Sequence, residues 1–134
     1  MVAVPVPQRG TILVIDDDHS FSRNTYGLLH ALNLDVHRAF TAQEALDLLD
    51  QIEPDVILMD MVLPDVSGLS LLRRLRTNPH HEHRPVVMTS GLVMSGDRRE
   101  ALGAGANEFL PKPFSITDLE SALTPMLGRS LLWA

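Results

Sequence analysis

The sequence contains no cysteine, no long apolar run and no excess of basic residues, and each absence excludes a class of protein. Without cysteine among its 134 residues, the chain has neither disulfides nor thiolate chemistry, which agrees with a reducing compartment. No apolar run approaches the roughly 20 residues that a membrane-spanning helix needs. The 11 Lys and Arg residues are scattered and the net charge is −6. This argues against a nucleic-acid surface, because such a surface clusters cations against phosphates.

The amino-terminal stretch also lacks the basic segment of a secretory signal. MVAVPVPQRG combines a short apolar stretch with two prolines, so we interpret residues 1–10 as an extended tail. With 45% hydrophobic and 21% charged residues, the chain has the composition of a soluble protein, and we expect a cytoplasmic location. The length is that of one domain. We place this domain at residues 11–128 and a second tail at 129–134.

Short apolar runs alternate with amphipathic stretches along the chain. Strands are predicted at residues 11–15, 34–39, 55–59, 85–90 and 107–111. Helices are predicted at residues 21–32, from Thr41 until Pro54 stops the chain, at 68–76, at 95–102 and from the Ser115–Asp118 segment to Gly128. Thr41–Glu44 and Ser115–Asp118 both have the spacing of a capping box. Five strand–helix units predict an α/β fold, with a parallel sheet covered by helices on both faces.

The apolar pattern of the strands predicts their order in the sheet. Residues 12–15, 56–59 and 86–88 are continuously apolar, as strands covered on both faces are. In contrast, residues 34–39 alternate between apolar and polar, and residues 107–110 are short, as edge strands tend to be. Strands 2 and 5 are therefore predicted at the edges. The doubly wound, flavodoxin-like order 2-1-3-4-5 places them there.

Carboxylates follow two central strands of this predicted sheet. Asp16 and Asp17 follow strand 1 and Asp60 follows strand 3, and ligands of such sheets bind where these carboxyl ends meet. Three adjacent carboxylates repel one another, and a cation offsets that cost. Carboxylates without His or Cys suit Mg²⁺, which commonly also binds phosphate oxygens. Ser90 after strand 4 and Lys112 after strand 5 offer a hydroxyl and a cation to a phosphoryl group.

Four segments resemble the receiver domain of two-component response regulators, including the chemotaxis regulators. They are ILVIDDD, DVILMDMVLPDVSG, VVMTSG and GANEFLPKPF, in that order within residues 11–127. The resemblance implies that Asp60 accepts a phosphoryl group. The ligands that it implies for Mg²⁺ (or Mn²⁺) are Asp16, Asp17, Asp60 and the backbone carbonyl of Val62.

The same resemblance implies roles for residues at strands 4 and 5. Ser90 is similar to the switch hydroxyl of the family and Phe109 to its switch aromatic residue. Lys112 is similar to the phosphoryl-binding lysine, and the Lys112–Pro113 bond is expected to be cis. Gly91, beside the phosphoryl group, replaces the usual alanine, and Phe109 lacks the hydroxyl of a tyrosine, so it can switch by packing alone. Without the resemblance, Ser90 would be a turn hydroxyl and Phe109 a core residue.

Val62 departs from the family pattern and also bears on the class of protein. It is apolar where a polar or larger residue is frequent, so we expect slow attack of water on the aspartyl-phosphate. Haloacid-dehalogenase-type phosphohydrolases, which also form an aspartyl-phosphate, need an acid at this place. We therefore expect self-phosphorylation and dephosphorylation only, and not an enzyme in the usual sense.

The expected function is a signalling switch phosphorylated by a histidine kinase or a phosphotransfer protein. Its output would pass to a protein partner through the face around helix 4 and strand 5. A homodimer through helix 4, strand 5 and helix 5 is one such arrangement, and neither nucleic acid nor membrane is an expected partner. A phosphorelay shuttle and a phosphorylation-independent binding module on the same fold stay open as alternatives.

Two further motifs are interpreted as structural. HHEH at residues 80–83 follows Asn78-Pro79, so we expect a solvated loop and no zinc site. GAGA at residues 103–106 follows a predicted helix and precedes a predicted strand. This is the reverse of the context of a glycine-rich phosphate loop, so we expect a turn.

Overall fold

The computed structural model describes residues 10–91 and 94–127. Here five parallel strands form one sheet in the order β2-β1-β3-β4-β5, covered by five helices. The predicted fold class, strand order and edge strands are confirmed. The strands are β1 (Thr11–Ile15), β2 (Asp35–Ala39), β3 (Val56–Asp60), β4 (Val86–Ser90) and β5 (Glu108–Pro111). The helices are α1 (His19–Ala31), α2 (Ala42–Leu49), α3 (Gly68–Arg76), α4 (Asp97–Gly103) and α5 (Ile116–Leu127).

The two predicted tails lie outside the described residues, apart from Gly10 at the end of the first one. The predicted end of the last helix at Gly128 also lies outside them. In the described part of the chain, no helix is long and apolar enough to cross a bilayer.

Helix ends differ from the prediction where local capping decides them. Helix α1 begins at His19, before the predicted start, because the Asp18 carboxylate accepts the backbone N–H of Phe21 at 3.0 Å and caps the helix. Helix α2 ends at Leu49, well before Pro54. Helix α4 begins after Gly96, which has a φ of 94° in the left-handed region that favours glycine.

Both predicted capping boxes are present. The Thr41 hydroxyl accepts the N–H of Glu44 at 3.0 Å, and the Glu44 carboxylate accepts the N–H of Phe40 at 3.0 Å. The Ser115 hydroxyl accepts the N–H of Asp118 at 3.1 Å, and the Asp118 carboxylate accepts the N–H of Ser115 at 2.9 Å. These bonds satisfy backbone donors that have no partner inside the helix.

Strand side chains alternate between the two faces of the sheet and fill a separate core on each face. The strand residues in the core beneath α2, α3 and α4 are Leu13, Ile15, Ala39, Ile57, Met59, Val86, Met88 and Phe109. Those in the core beneath α1 and α5 are Ile12, Val14, Val56, Leu58 and Val87. All residues of β3 and β4 are buried. Because burying one such side chain stabilises the fold by about 1.5–3 kcal/mol, the central strands form a rigid base for the groups at their carboxyl ends.

Arg76, the last residue of α3, joins the loops at the amino-terminal end of the sheet. Its guanidinium donates to the carbonyls of Gly105 at 2.9 Å and Arg84 at 2.8 Å, and to Asn107 Oδ1 at 3.0 Å. Asn107 Oδ1 also accepts the N–H of Val86 at 2.9 Å. Gly105 has a φ of 110°, and a Cβ there would lie 3.0 Å from Arg76 Cγ. Apart from Gly103, which ends α4, the GAGA segment is thus the α4–β5 turn, where Gly105 is required by conformation and space.

The HHEH segment is a loop, but it is not solvated throughout. His81 is only 5% exposed, and its Nδ1 accepts a hydrogen bond from Arg84 Nε at 3.3 Å. Arg84 also donates to the carbonyl of Pro54 and so holds this loop against the start of β3. The expectation of a solvated loop is therefore wrong for His81. Among residues 10–91 and 94–127, these histidines form no group with the spacing of metal ligands.

The first prediction concerns the pH dependence of stability. Burial, together with the charges of Arg84 and His80, lowers the pKa of His81, whereas in the unfolded chain this pKa is about 6.5. Between the two values the unfolded chain binds more protons. A neutral His81 therefore contributes fully to the free energy of unfolding above the pKa of the unfolded chain. This contribution is lost as the pH falls through the pKa of the folded protein.

As the pH falls from about 7.5 to about 5, we expect the free energy of unfolding of His81→Gln to decrease less than that of the parent protein. Urea unfolding at several pH values measures this difference. His83→Gln, an exposed histidine of the same loop, is the matched control. Equal pH slopes for His81→Gln and the parent protein would contradict the prediction.

Candidate functional site

Three carboxylates meet at the carboxyl ends of β1 and β3. Asp16 follows β1 directly and is 2% exposed, Asp60 is the last residue of β3 and is 7% exposed, and Asp17 is exposed. One oxygen from each lies within 4.8 Å of those of the other two. The parallel pairing of Ile15 with Met59 explains this, since it places the next residues, Asp16 and Asp60, side by side. The structure thus brings together the three predicted acids.

Lys112 joins two of these acids from the far side of β4. Its Nζ lies 2.6 Å from Asp16 Oδ2 and 2.8 Å from Asp60 Oδ2. Its backbone N–H donates to the carbonyl of Ser90 at 2.9 Å. This bond continues the β4–β5 pairing past the end of β5 and holds the base of the long side chain.

The pKa values show how burial and charge oppose each other in this cluster. For Lys112, burial lowers the pKa, but hydrogen bonds and charges from Asp16 and Asp60 outweigh it, so the pKa is raised. For Asp16, burial is the largest influence and raises the pKa despite the hydrogen bond from Lys112. The lysine therefore stays charged, while the cost of a buried negative charge at Asp16 is only partly offset.

Hydrogen bonds fix the orientation of the two buried carboxylates. Asp60 Oδ1 accepts the N–H of Val62 at 2.9 Å, and Asp60 Oδ2 accepts from Lys112. Asp16 Oδ1 accepts the N–H of Asp18 at 2.9 Å. The side chain of Val62 is 69% exposed. It therefore adds an apolar surface beside the site without closing it.

The loop after Asp60 is held by a close approach of α3. The N–H of Gly68 donates to the carbonyl of Met61 at 2.8 Å. A Cβ at Gly68 would lie 2.1 Å from the carbonyl oxygen of Asp60, so only glycine fits at the start of this helix. The hydroxyl of Ser67 caps α3 by accepting the N–H of Ser70 at 3.1 Å.

The predicted switch residues lie on or beside β4 and β5. Ser90, the last residue of β4, is 4% exposed, and Phe109 packs within the core beneath α2, α3 and α4. Gly91 is exposed, and a Cβ there would lie 3.6 Å from Lys112 Cδ, an ordinary contact distance. The Lys112–Pro113 peptide bond is cis. The structure thus places Ser90, Gly91 and Lys112 at the site, and the ring of Phe109 inside the core.

Phe21 is a residue of this site that the sequence did not predict. Its helical spacing predicts a place on the apolar face of α1, but its ring centroid lies 4.2 Å from Lys112 Nζ. The ring of Phe114 meets it at 5.2 Å between centroids and an angle of 86°. The one signal in the sequence is an aromatic residue in the first turn of the helix that follows the Asp16-Asp17 pair.

The donor set fits a hard divalent cation. Within the described residues, the group with metal-ligand spacing consists of carboxylates alone, which is the chemistry that Mg²⁺ and Mn²⁺ prefer. A cation there would offset the negative charge of the three carboxylates that Lys112 alone does not neutralise. The site can therefore combine a cation, a nucleophilic carboxylate at Asp60 and the ammonium group of Lys112.

Comparison with known sequences gives matches over most of the chain. The family model of the response regulator receiver domain matches residues 12–124. The transcriptional regulatory protein TrcR of Mycobacterium tuberculosis is 35% identical over 119 residues, which cover 89% of this chain and 46% of that protein. The chain spans about half the length of the regulators that it matches.

Two solved structures are similar in fold and sequence. The receiver domain of the Francisella response regulator 1452 superposes with a TM-score of 0.81 at 31% identity, covering 89% of this chain and 97% of that one. The receiver domain of a sensor histidine kinase from Pseudomonas aeruginosa superposes with a TM-score of 0.82 at 28% identity. This match covers 92% of this chain and 99% of that one, which has a magnesium ion coordinated in its active-site cleft.

The second prediction contrasts two glycines beside the site. Gly68→Ala is expected to destabilise the protein by about 1–3 kcal/mol or more, because the new Cβ overlaps the backbone of Asp60. Gly91→Ala is expected to stabilise it by about 0.4–1 kcal/mol. Gly91 is not among the described glycines with positive φ, and alanine restricts the unfolded chain. Urea unfolding measures both changes, and two effects of the same sign would contradict this account.

Proposed function

Because the chain belongs to the response regulator receiver domain family, we propose that Asp60 accepts a phosphoryl group from a histidine kinase or a phosphotransfer protein. The observation that carries this proposal is the position of Asp60 between the other acids and Lys112. Its carboxylate has an oxygen within 4.8 Å of those of Asp16 and Asp17, and its Oδ2 lies 2.8 Å from Lys112 Nζ. A nucleophile, a cation site and a charge partner for phosphoryl oxygens are thus within reach of one another.

We infer that Mg²⁺ or Mn²⁺ is the cofactor. Its ligands would be Asp16, Asp17, Asp60 and the backbone carbonyl of Val62. The magnesium ion in the cleft of the Pseudomonas receiver domain supports this choice, as does the all-carboxylate cluster. When bound, the cation would neutralise negative charge on the phosphoryl oxygens.

Asp60 is the proposed nucleophile. One carboxylate oxygen forms a bond to phosphorus while the bond to the donor breaks, and the leaving group keeps the electron pair. The hydrogen bonds from Val62 N–H and Lys112 Nζ orient the carboxylate before the donor arrives. Lys112 then offsets the charge of a phosphoryl oxygen, and Ser90 and Gly91 bind the group from β4. The product is an acyl phosphate, which water can hydrolyse.

Phosphorylation is proposed to act on the protein through Ser90 and Phe109. If Ser90 moves towards the phosphoryl group, the packing of the Phe109 ring in the core changes with it. The readout would be the surface of α4, β5 and α5, which either a protein partner or a second copy could bind. We place this signalling in the cytoplasm, which the absence of cysteine supports.

The third prediction is that incubation with acetyl phosphate and Mg²⁺ adds one phosphoryl group to the protein, measured by intact mass. Asp60→Asn should gain none, because an amide is not a nucleophile for this step. Asp47→Asn, a change of an exposed carboxylate on α2, should gain one as the parent protein does. Removal of the cation with EDTA should abolish the gain. A protein that gains no mass even with histidine kinases would favour the phosphorylation-independent binding module.

The fourth prediction concerns the lifetime of the aspartyl-phosphate. Val62→Asn should speed its hydrolysis severalfold, because a polar side chain beside the site attracts the water that Val62 repels. The measurement is the loss of phosphoryl mass after the phosphodonor is removed. Val66→Asn, a change of a partly exposed valine on the same loop, is the matched control. An unchanged lifetime in Val62→Asn would show that this side chain does not control the attack of water on the aspartyl-phosphate.

A further inference from the structure

The ammonium group of Lys112 has an aromatic neighbour as well as two carboxylates. The ring of Phe21 lies 4.2 Å from Nζ, within the distance of a cation–π interaction. Both side chains are partly buried, which strengthens such a contact, because less water competes for the ammonium group.

The backbone of Phe21 is linked through Asp18 to Asp16, one of the two acids that bind Lys112. Asp16 Oδ1 accepts the N–H of Asp18 at 2.9 Å, and Asp18 Oδ1 accepts the N–H of Phe21 at 3.0 Å. The ring of Phe21 contacts Lys112 Nζ, and Lys112 Nζ in turn lies 2.6 Å from Asp16 Oδ2. These four contacts form a closed ring of interactions, so a shift of Lys112 strains the start of α1 as well as the acids.

Phe114 fixes the orientation of the Phe21 ring. The two rings meet edge to face, with centroids 5.2 Å apart at an angle of 86°, an arrangement that aromatic pairs favour. Phe114 follows Lys112 closely in the chain, so both partners of Phe21 come from the segment after β5. The orientation of the ring is therefore set from the same segment as the lysine that it contacts.

Resting on the proposed function, we propose that Phe21 is a positioning residue for Lys112 in phosphoryl transfer. A carboxylate holds an ammonium group by using up its N–H donors, whereas a ring face attracts the charge as a whole. Phe21 thus keeps Lys112 close to Asp60 and still allows its N–H groups to turn to a phosphoryl oxygen. Without the ring, Lys112 would be restrained mainly by the two carboxylates.

The fifth prediction compares rates of phosphorylation of the full chain by acetyl phosphate at saturating Mg²⁺. Phe21→Leu should slow the reaction about two- to fivefold, the range that a partly exposed cation–π contact supports. Phe21→Tyr, which keeps the ring, should retain the parent rate. Phe40→Leu is the matched control, since it removes a half-buried ring that contacts Arg38 at 5.2 Å instead of Lys112.

A double-mutant cycle separates positioning from packing. In a Lys112→Met background, Phe21→Leu should have no further effect on the rate, because the contact is already lost. A purely structural Phe21 would slow both backgrounds equally, which would overturn the proposal. If Phe21→Leu does not fold, 3,5-difluorophenylalanine at position 21 keeps the shape and weakens the ring face. A smaller slowing than that of Phe21→Leu is expected from it, and an unchanged rate would overturn the proposal.

Proton NMR tests the contact without any phosphodonor. The ε-methylene protons of Lys112 should be shifted upfield by the ring current of Phe21, and this shift should vanish in Phe21→Leu and persist in Phe21→Tyr. An unshifted signal in the parent protein would overturn the inference. A parent protein that is never phosphorylated would instead overturn the proposed function, and the positioning role with it. Equal phosphorylation rates in the parent protein and Phe21→Leu would overturn the positioning role alone.

Discussion

The bond of the Lys112 ammonium group to two carboxylates is the interaction on which the rest of the site depends. Asp16 and Asp60 are both buried, and a buried carboxylate without a charged partner is costly. Lys112 lies 2.6 Å and 2.8 Å from them. It thereby offsets part of that cost and ties the carboxyl ends of β1, β3 and β5 together. The fold itself thus brings the acids together.

The order of the strands makes this assembly possible. Since β1 and β3 are neighbours, Asp16 and Asp60 meet at one edge of the sheet. Since β5 is an edge strand beside β4, Lys112 must reach across the end of β4 and passes Ser90 and Gly91 on its way. Lys112 thus connects Asp60 to the segment after β5 across the end of β4.

Much of this arrangement follows from patterns within short segments. Continuous apolar runs predicted the central strands, an alternating run and a short run predicted the edges, and the acids after strands 1 and 3 predicted that Asp16, Asp17 and Asp60 meet. What the sequence did not predict depends on contacts between distant segments. The burial of His81 results from Arg84 and from the start of β3, and helical spacing could place Phe21 on a face but not against Lys112. The starts of α1 and α4 were missed because a cap at Asp18 and the left-handed Gly96 decide them.

The hydrogen bonds of Arg76 at the opposite end of the sheet constrain how this chain can change through evolution. Two of the three acceptors bonded closely by Arg76 are the backbone carbonyls of Arg84 and Gly105. A carbonyl is present whatever side chain its residue carries. The α3–β4 loop can therefore diverge in sequence without losing its bonds to Arg76, although His81 and Arg84 also hold it through their side chains. This end of the molecule can acquire new surface properties without disturbing the chemistry at the other end.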